Sequence, residues 1–152
     1  MGDPPTNLCC CRIAWAGRVS DLERRGLRLS NRKLVLVVDD DPGILRGLSR
    51  LLNRHGYDCM LFQSAEAFED CSDVSTAICI VLDVQLNGRS GIELRSRLSS
   101  AGISLPVIYI TANDNDFVRS AAIRSGCIAY LTKPFSAASL LEPVARAAAG
   151  LA

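Results

Sequence analysis

The chain has 152 residues, 49% of them hydrophobic, and a formal net charge of +1 at pH 7. This length and apolar content suit one domain with a sizeable core plus a short extension. Residues 1–33 carry seven Lys or Arg against three acids, whereas residues 34–152 carry ten against thirteen. The mildly acidic body gives no support for a nucleic-acid-binding domain, and no apolar stretch approaches the ~20 residues of a membrane-spanning helix.

The cysteine content favours a reducing, cytoplasmic location. Seven cysteines is an odd number, and Cys59, Cys79 and Cys127 fall within apolar, strand-like runs. A reduced cysteine behaves there as a small hydrophobic residue, so no disulfide framework is expected.

Residues 1–33 are predicted to form a basic, disordered N-terminal extension that the fold does not need. A capping box from Ser20 to Glu23 allows one helical turn, which would be marginal alone. The cysteine triplet at residues 9–11 has no second Cys/His cluster to complete a metal site, so we interpret it as incidental. Contact of this arm with DNA or an anionic membrane stays open as a lesser alternative.

The folded domain, residues 34–152, is predicted to begin with a strand that stops at three consecutive acids, Asp39, Asp40 and Asp41. Asp41 can cap a helix that starts with Pro42, whose missing N–H costs nothing at that position. Apolar residues then recur at helical spacing up to His55 and Gly56. We assign His55 a capping or solvent-exposed position without a catalytic role.

The remaining elements alternate along the chain. Strands are predicted at residues 57–62, 78–83, 107–111 and 128–131; helices are expected after Ser64, around Ile92, around Phe117 and after Ser136. Pro143 lies inside the last helix, where it should remove a hydrogen bond and kink the helix. Five strands alternating with five helices predict an α/β, flavodoxin-like (βα)5 fold, a doubly wound parallel sheet of order 2-1-3-4-5.

Polar residues follow four of these strands at the same edge of the sheet. They are Asp39 with Asp40, Asp83, Thr111 and Lys133. Carboxylates this close raise one another's pKa unless a cation is present, and an oxygen cluster suits Mg²⁺. Lys133 and Thr111 could clamp a phosphoryl group, and a carboxylate among them is a candidate nucleophile that forms an aspartyl phosphate.

In combination, these motifs resemble the receiver domain of two-component response regulators. They are the acidic pair after the first strand, Leu82-Asp83, Ile110-Thr111-Ala112 and Lys133-Pro134-Phe135. The resemblance extends from Leu34 to about Gly150. It implies that Asp83 accepts a phosphoryl group from a sensor histidine kinase or a phosphotransfer protein.

The resemblance also implies roles for the neighbouring residues. Mg²⁺ would be bound by Asp40, Asp83 and the backbone carbonyl of Gln85, with Asp39 acting through water. Thr111 and Lys133 would contact the phosphoryl oxygens, Tyr130 would occupy the aromatic switch position, and the Lys133–Pro134 bond would be cis. The family usually has Met-Pro after the position of Gln85, so Leu86-Asn87 is expected to loosen this loop.

Three function classes follow from these observations. The first is a stand-alone phosphorylatable signalling module that is not a conventional enzyme, with an unknown downstream protein target and no direct DNA or membrane binding. The second is a phosphorylation-independent interaction module of the same fold, which the intact Asp83, Thr111 and Lys133 set disfavours. The third is an aspartate-nucleophile phosphatase, which would need an acid where Gln85 stands.

Overall fold

The computed structural model describes residues 32–71, 74 and 76–151. The predicted extension up to residue 31, with the capping box at Ser20 and the cysteine triplet, lies outside this part of the chain. Five strands form the main sheet: β1 (Lys33–Val38), β2 (Tyr57–Phe62), β3 (Ala77–Asp83), β4 (Val107–Thr111) and β5 (Ala129–Thr132). Five helices alternate with them: α1 (Pro42–Arg54), α2 (Ala65–Glu69), α3 (Gly91–Ser100), α4 (Asp116–Arg124) and α5 (Ala137–Ala148).

The sheet is parallel throughout and has the order β2-β1-β3-β4-β5. This confirms the predicted flavodoxin-like α/β fold. Successive residues of a strand point to opposite faces of the sheet, so both faces of a central strand are buried when helices cover both. On β1, Val35 and Val37 belong to the core cluster that includes residues of α1 and α5, whereas Leu36 and Val38 belong to the cluster that includes residues of α2, α3 and α4. The continuous apolar run of β3 follows from this double coverage.

Three helices begin at the N-cap residues that the sequence predicted. The Asp41 carboxylate accepts a hydrogen bond from the Gly43 backbone N–H at 2.8 Å, with Pro42 as the first helical residue. Ser64 and Ser136 cap α2 and α5 in the same way. These contacts satisfy backbone N–H groups that have no partner within the helix.

His55 is the C-cap residue of α1, where its Nδ1 lies 2.9 Å from the Leu51 carbonyl oxygen that accepts from it. The side chain of His55 is exposed. The capping interpretation of this histidine is therefore confirmed.

Two basic residues assigned to the extension make contacts with the folded domain. Arg32 donates to the Asn53 carbonyl at 2.9 Å, and Lys33, the first residue of β1, donates to the Ala148 carbonyl at 2.5 Å. Cations favour the C-terminal ends of helices, where carbonyl groups lack donors. Structurally, both residues belong with the domain that the sequence placed from Leu34 onward.

Two sequence expectations can be compared with the structure, although the expected kink at Pro143 stays a prediction. Pro143 is buried within α5, and the helix continues past it to Ala148. Leu140 and Val144, on the same helix, are fully buried in a core cluster that includes residues of the sheet. Cys127 is half-buried and precedes β5 instead of lying within it, while Cys79 is fully buried in β3. Among the described residues, no helix has the length and apolar character needed to cross a membrane.

Candidate functional site

Polar side chains meet at the carboxyl edge of the sheet, as the strand ends predicted. Asp39 follows β1, Asp83 ends β3, Thr111 ends β4, and all three are buried. Lys133 follows β5 and is half-buried, after a Lys133–Pro134 peptide bond that is cis, as the resemblance implied. Buried polar groups need partners, so the contacts among these residues define what the site can do.

Lys133 joins the two buried carboxylates. Its Nζ donates to Asp39 Oδ2 at 2.8 Å and to Asp83 Oδ2 at 3.1 Å. These residues are 94 and 50 positions away in sequence and meet because three parallel strands end at one edge. The result is a fixed positive charge beside the carboxylate of Asp83.

The other oxygens of these carboxylates accept from the backbone. Asp39 Oδ1 accepts from the Asp41 N–H at 2.9 Å, and Asp83 Oδ1 accepts from the Gln85 N–H at 3.1 Å. Asp40 differs, because within the described part of the chain its half-buried carboxylate has no hydrogen bond or ion pair. Asp39 and Asp83 are thus held in place, while Asp40 remains available to a ligand.

Burial is the largest influence on the protonation of Asp39. It raises the pKa of this carboxyl from 3.8 to about 6, against the hydrogen bond from Lys133, and the charge of Asp83 adds a smaller rise. The sequence predicts that repulsion among the acids raises their pKa values; for Asp39 this repulsion raises the pKa less than burial does. Burial disfavours the charge of Lys133 as well, but the hydrogen bond to Asp39 and the charge of Asp83 raise the pKa of Lys133.

The acidic cluster has the chemistry of a divalent-cation site. Asp39, Asp40 and Asp83 each offer one carboxylate oxygen, and these oxygens lie within 4.8 Å of one another. An oxygen-only set with one unpaired carboxylate suits a hard cation that retains waters, as Mg²⁺ does. The residues present therefore fit Mg²⁺.

A pocket of about 770 Å³ opens beside this cluster. Its walls come from the start of α1, the strand ends and the segment after β3, and they include Asp40, Ile44, Asp83, Gln85, Arg89 and Lys133. The pocket gives an incoming group access to Asp83 from the solvent side of the sheet edge.

The segment after β3 is a small hairpin. The two-residue strands Gln85–Leu86 and Arg89–Ser90 pair antiparallel, and the turn residues Asn87 and Gly88 have φ of 47° and 84°. Asn-Gly is the preferred pair for a two-residue turn in which both central residues have positive φ. Leu86 and Asn87, which stand where the family usually has Met-Pro, thus belong to a small hairpin, and the expected loosening of this loop stays a prediction. The Asn87-Gly88 pair was the overlooked signal.

An ion-pair network ties this hairpin to two helices. Arg89 donates to both oxygens of Glu69, at 3.0 and 3.1 Å, and to Glu66 of α2 at 2.9 Å. Arg97 of α3 donates to Glu69 at 2.8 Å. The hydrogen bonds from Arg89 lower the pKa of Glu66 and of Glu69. The sequence reading missed this network, whose members lie on separate elements without a periodic pattern.

Thr111 and Gln85 are linked through the loop after β4. Thr111 Oγ1 accepts from the Asn113 backbone N–H at 3.0 Å, and the Asn113 side-chain amide donates to Gln85 Oε1 at 2.9 Å. The hydroxyl of Thr111 is thus engaged with its own loop, and Gln85 lies beside it at the pocket.

Tyr130, the residue assigned to the switch position, lies on β5 away from the acidic cluster's contacts. Its hydroxyl donates to Asp114 Oδ1 at 3.0 Å. Arg119 forms an ion pair with Asp114, and its guanidinium carbon lies 5.5 Å from the centre of the Tyr130 ring. Burial and the hydrogen bond to Asp114 raise the pKa of Tyr130 to about 12.

A model of the response regulator receiver domain matches residues 35–145. The chain belongs to this family. Receiver domains are signalling domains of two-component systems, are phosphorylated by histidine kinases and typically bind Mg²⁺ at an acidic pocket. The buried acids, Lys133 and the fold all agree with this membership.

Relatives from several bacteria support the assignment. The chain is 34% identical over 117 residues to the transcriptional regulatory protein TdiR of Thauera aromatica, covering 77% of this chain and 52% of TdiR. It is 31% identical over 136 residues to nodulation protein W of Bradyrhizobium diazoefficiens, covering 90% of this chain and 58% of that protein. The chain thus spans about half the length of these curated relatives. The stand-alone role and the absence of DNA binding stay predictions.

Solved receiver structures share the fold. A response regulator receiver protein from Pseudoalteromonas atlantica superposes with a TM-score of 0.74 at 26% identity, covering 78% of this chain and 99% of that one. The crystal structure of FixJ-N superposes with a TM-score of 0.71 at 29% identity, covering 80% of this chain and 98% of that one. The chain therefore aligns with nearly the whole length of both solved structures.

Proposed function

We propose that this domain accepts a phosphoryl group on Asp83 from a histidine kinase or a phosphotransfer protein, in a Mg²⁺-dependent reaction, and signals through a conformational change. The observation that carries the proposal is the position of the Lys133 ammonium. It contacts both Asp83 and the buried Asp39, beside the unpaired Asp40. The proposal is supported by the closeness of three groups: a carboxylate that could act as the nucleophile, the Lys133 ammonium, and a carboxylate without a partner that could bind a cation.

The transfer forms one bond and breaks one. An oxygen of Asp83 attacks the phosphorus, the new P–O bond forms as the P–N bond to the donor imidazole breaks, and the leaving nitrogen takes a proton from solvent. The Gln85 N–H holds the Asp83 carboxylate in a fixed orientation. Lys133, already 3.1 Å from Asp83, lies where it can stabilise the charge on the phosphoryl oxygens.

Asp40, Asp83 and the backbone carbonyl of Gln85 would hold Mg²⁺, with Asp39 acting through water. When bound, the ion would neutralise charge on the phosphoryl oxygens. The contacts of Asp39 suggest a second role, because one of its carboxylate oxygens accepts from Lys133 and the other accepts from the Asp41 N–H. We assign it mainly to the positioning of Lys133.

Thr111 would carry the signal away from the site. Its hydroxyl can bind a phosphoryl oxygen only by moving toward Asp83, and Tyr130 would then swing into the space that it leaves. The same set would promote both phosphorylation and dephosphorylation of Asp83. We place these steps in the cytoplasm, on the grounds of the odd cysteine number and the burial of Cys79 within β3.

Intact mass measurement after incubation with acetyl phosphate and Mg²⁺ tests the proposal. The wild type should gain the mass of one phosphoryl group, and chelation of Mg²⁺ should abolish the gain. Asp83→Asn should show none, whereas Asp70→Asn, a control at the C-terminal end of α2, should behave as wild type. A folded wild type that forms no adduct with any small phosphodonor would favour the phosphorylation-independent module.

A further inference from the structure

Two side chains outside the acidic cluster, those of Asp114 and Arg119, contact Tyr130. Asp114, in the loop before α4, accepts from Tyr130 at 3.0 Å and pairs with Arg119. Arg119, on the first turns of α4, places its guanidinium over the Tyr130 ring, with 5.5 Å between the guanidinium carbon and the ring centre. Each residue contacts the other two, so the arrangement is closed.

We propose that Asp114 and Arg119 form a latch that holds Tyr130 outward in the unphosphorylated domain. The inference rests on the proposed function, in which Tyr130 swings inward after phosphorylation. Contacts that exist in one state alone shift the population toward that state by their full free energy. The hydroxyl of Tyr130 leaves Asp114 when the ring turns inward, and the ring leaves Arg119 at the same time.

The latch is connected to the phosphoryl site through one short loop. Thr111 Oγ1 accepts from the Asn113 N–H at 3.0 Å, and Asp114 is the next residue. If Thr111 turns toward a phosphoryl group on Asp83, it must release Asn113 or draw the loop with it. Either change displaces the Asp114 carboxylate relative to Tyr130. Phosphorylation of Asp83 would therefore weaken the hydrogen bond between Tyr130 and Asp114.

The shared carboxylate distinguishes this cluster from an ordinary surface ion pair. An exposed pair alone contributes little to stability. Here the same carboxylate also accepts from the phenol, and the guanidinium also faces the aromatic ring, which adds a cation–π contact. Burial is the largest cause of the raised pKa of Tyr130, and the hydrogen bond to Asp114 is the second largest. The second cause agrees with a phenol hydroxyl that donates to a carboxylate.

Two variants and two matched controls test the latch in the full chain. Asp114→Ala removes the shared carboxylate, and Arg119→Gln removes the cation. Glu93→Ala removes an exposed acid from α3, and Arg124→Gln removes an exposed base from α4; in the described structure neither side chain forms a hydrogen bond or ion pair with Tyr130, Asp114 or Arg119. If one latch variant fails to fold, the other still tests the proposal.

The first measurement needs no phosphoryl group. In NMR spectra of the unliganded proteins, the NOE between the Tyr130 ring protons and the Thr111 methyl should increase in both latch variants and stay at the wild-type value in both controls. The second measurement is the apparent affinity for beryllofluoride with Mg²⁺. It should rise about fivefold in the latch variants, the low end of usual allosteric couplings, and be unchanged in the controls.

The two measurements separate failure of the latch from failure of the proposed function. A wild type that does not bind beryllofluoride would argue against phosphorylation of Asp83, and the NOE comparison would still decide the latch. If the latch variants match their controls in the NOE, or bind beryllofluoride no more tightly than wild type does, Asp114 and Arg119 do not restrain Tyr130.

Discussion

The ammonium of Lys133 lies 2.8 Å from Oδ2 of Asp39, a carboxylate 94 residues earlier in the chain whose side chain has no exposed surface. A buried charge is tolerated when it is paired and hydrogen-bonded. Lys133 is therefore the counter-charge of Asp39 in the domain without a bound cation, in addition to its proposed contact with the phosphoryl group. This double role makes the site a contributor to stability as well as to chemistry.

Lys133→Met should destabilise the metal-free domain by about 3 kcal/mol, because removing one partner of a buried ion pair leaves the other uncompensated. Urea unfolding at neutral pH in the presence of a chelator measures this loss. The double variant Lys133→Met with Asp39→Asn should recover much of it, since Asp39, the more deeply buried of the two carboxylates that Lys133 contacts, is then uncharged. A single variant as stable as wild type would mean that Asp39 finds another partner or a proton without cost.

The raised pKa of Asp39 predicts a stability that falls as pH rises. The carboxyl ionises near pH 3.8 in the unfolded chain and near 6 in the folded domain, so the folded state binds the extra proton between these values. Its contribution is present below about pH 4 and is lost as pH rises to about 6, in total roughly 3 kcal/mol. This applies to the metal-free domain, because a bound cation would favour the ionised form.

Asp39→Asn isolates this contribution. Other acids shift in the opposite direction, such as Glu69, whose pKa is lowered by Arg89. The free energy of unfolding should therefore be compared between wild type and Asp39→Asn across the acidic range. Relative to wild type, Asp39→Asn should become more stable as pH rises from about 4 to about 6. Parallel pH profiles for the two proteins would show that Asp39 ionises as freely in the folded domain as in the unfolded chain.

Gly91 allows the hairpin to return closely against the end of β3. A Cβ at this position would lie 2.1 Å from the carbonyl oxygen of Asp83, a backbone atom that cannot give way cheaply. Gly91→Ala should therefore destabilise the domain by about 3 kcal/mol or more and reduce the phosphorylation of Asp83. Gly47→Ala is the matched control: it lies within α1 with nothing within 4 Å. It should stabilise by about 0.5–1 kcal/mol, as alanine does in a helix.

Chemical unfolding of both variants gives the comparison directly. If Gly91→Ala unfolds at the wild-type urea concentration, the backbone near Asp83 is freer to move than the close approach indicates. Equal phosphorylation rates in Gly91→Ala and wild type would separate the packing role of this glycine from the chemistry of Asp83.

The sequence predicted those features that depend on local patterns or on strand ends. Asp41 and Pro42 begin α1 because their backbone preferences act within one turn. Asp39, Asp83 and Lys133 could be brought together because apolar runs fix where each strand stops, and parallel strands end at one edge. The topology thus determined which residues meet, although the distances between them needed the structure.

Other contacts leave no such pattern. Arg89 reaches Glu69 across 20 residues, and Tyr130 reaches Asp114 across 16. Exposed or half-exposed polar side chains have no periodicity, and their pairing depends on how neighbouring loops lie. The Asn87-Gly88 turn is a different case, because its dipeptide is a known hairpin signal. This turn could therefore have been predicted from the sequence alone.

Thr111→Ala should separate phosphorylation from its conformational result. Asp83, its neighbouring acids and Lys133 remain, so the variant should still gain one phosphoryl group from acetyl phosphate. The missing hydroxyl removes the contact that would distinguish the two states, so α4, β5 and α5 should not reorganise. Amide NMR shifts on addition of beryllofluoride with Mg²⁺ measure this, and Thr111→Ser, which keeps the hydroxyl that accepts from Asn113, should restore the wild-type changes. If Thr111→Ala reproduces the wild-type shifts around Tyr130, the signal leaves the site by another route.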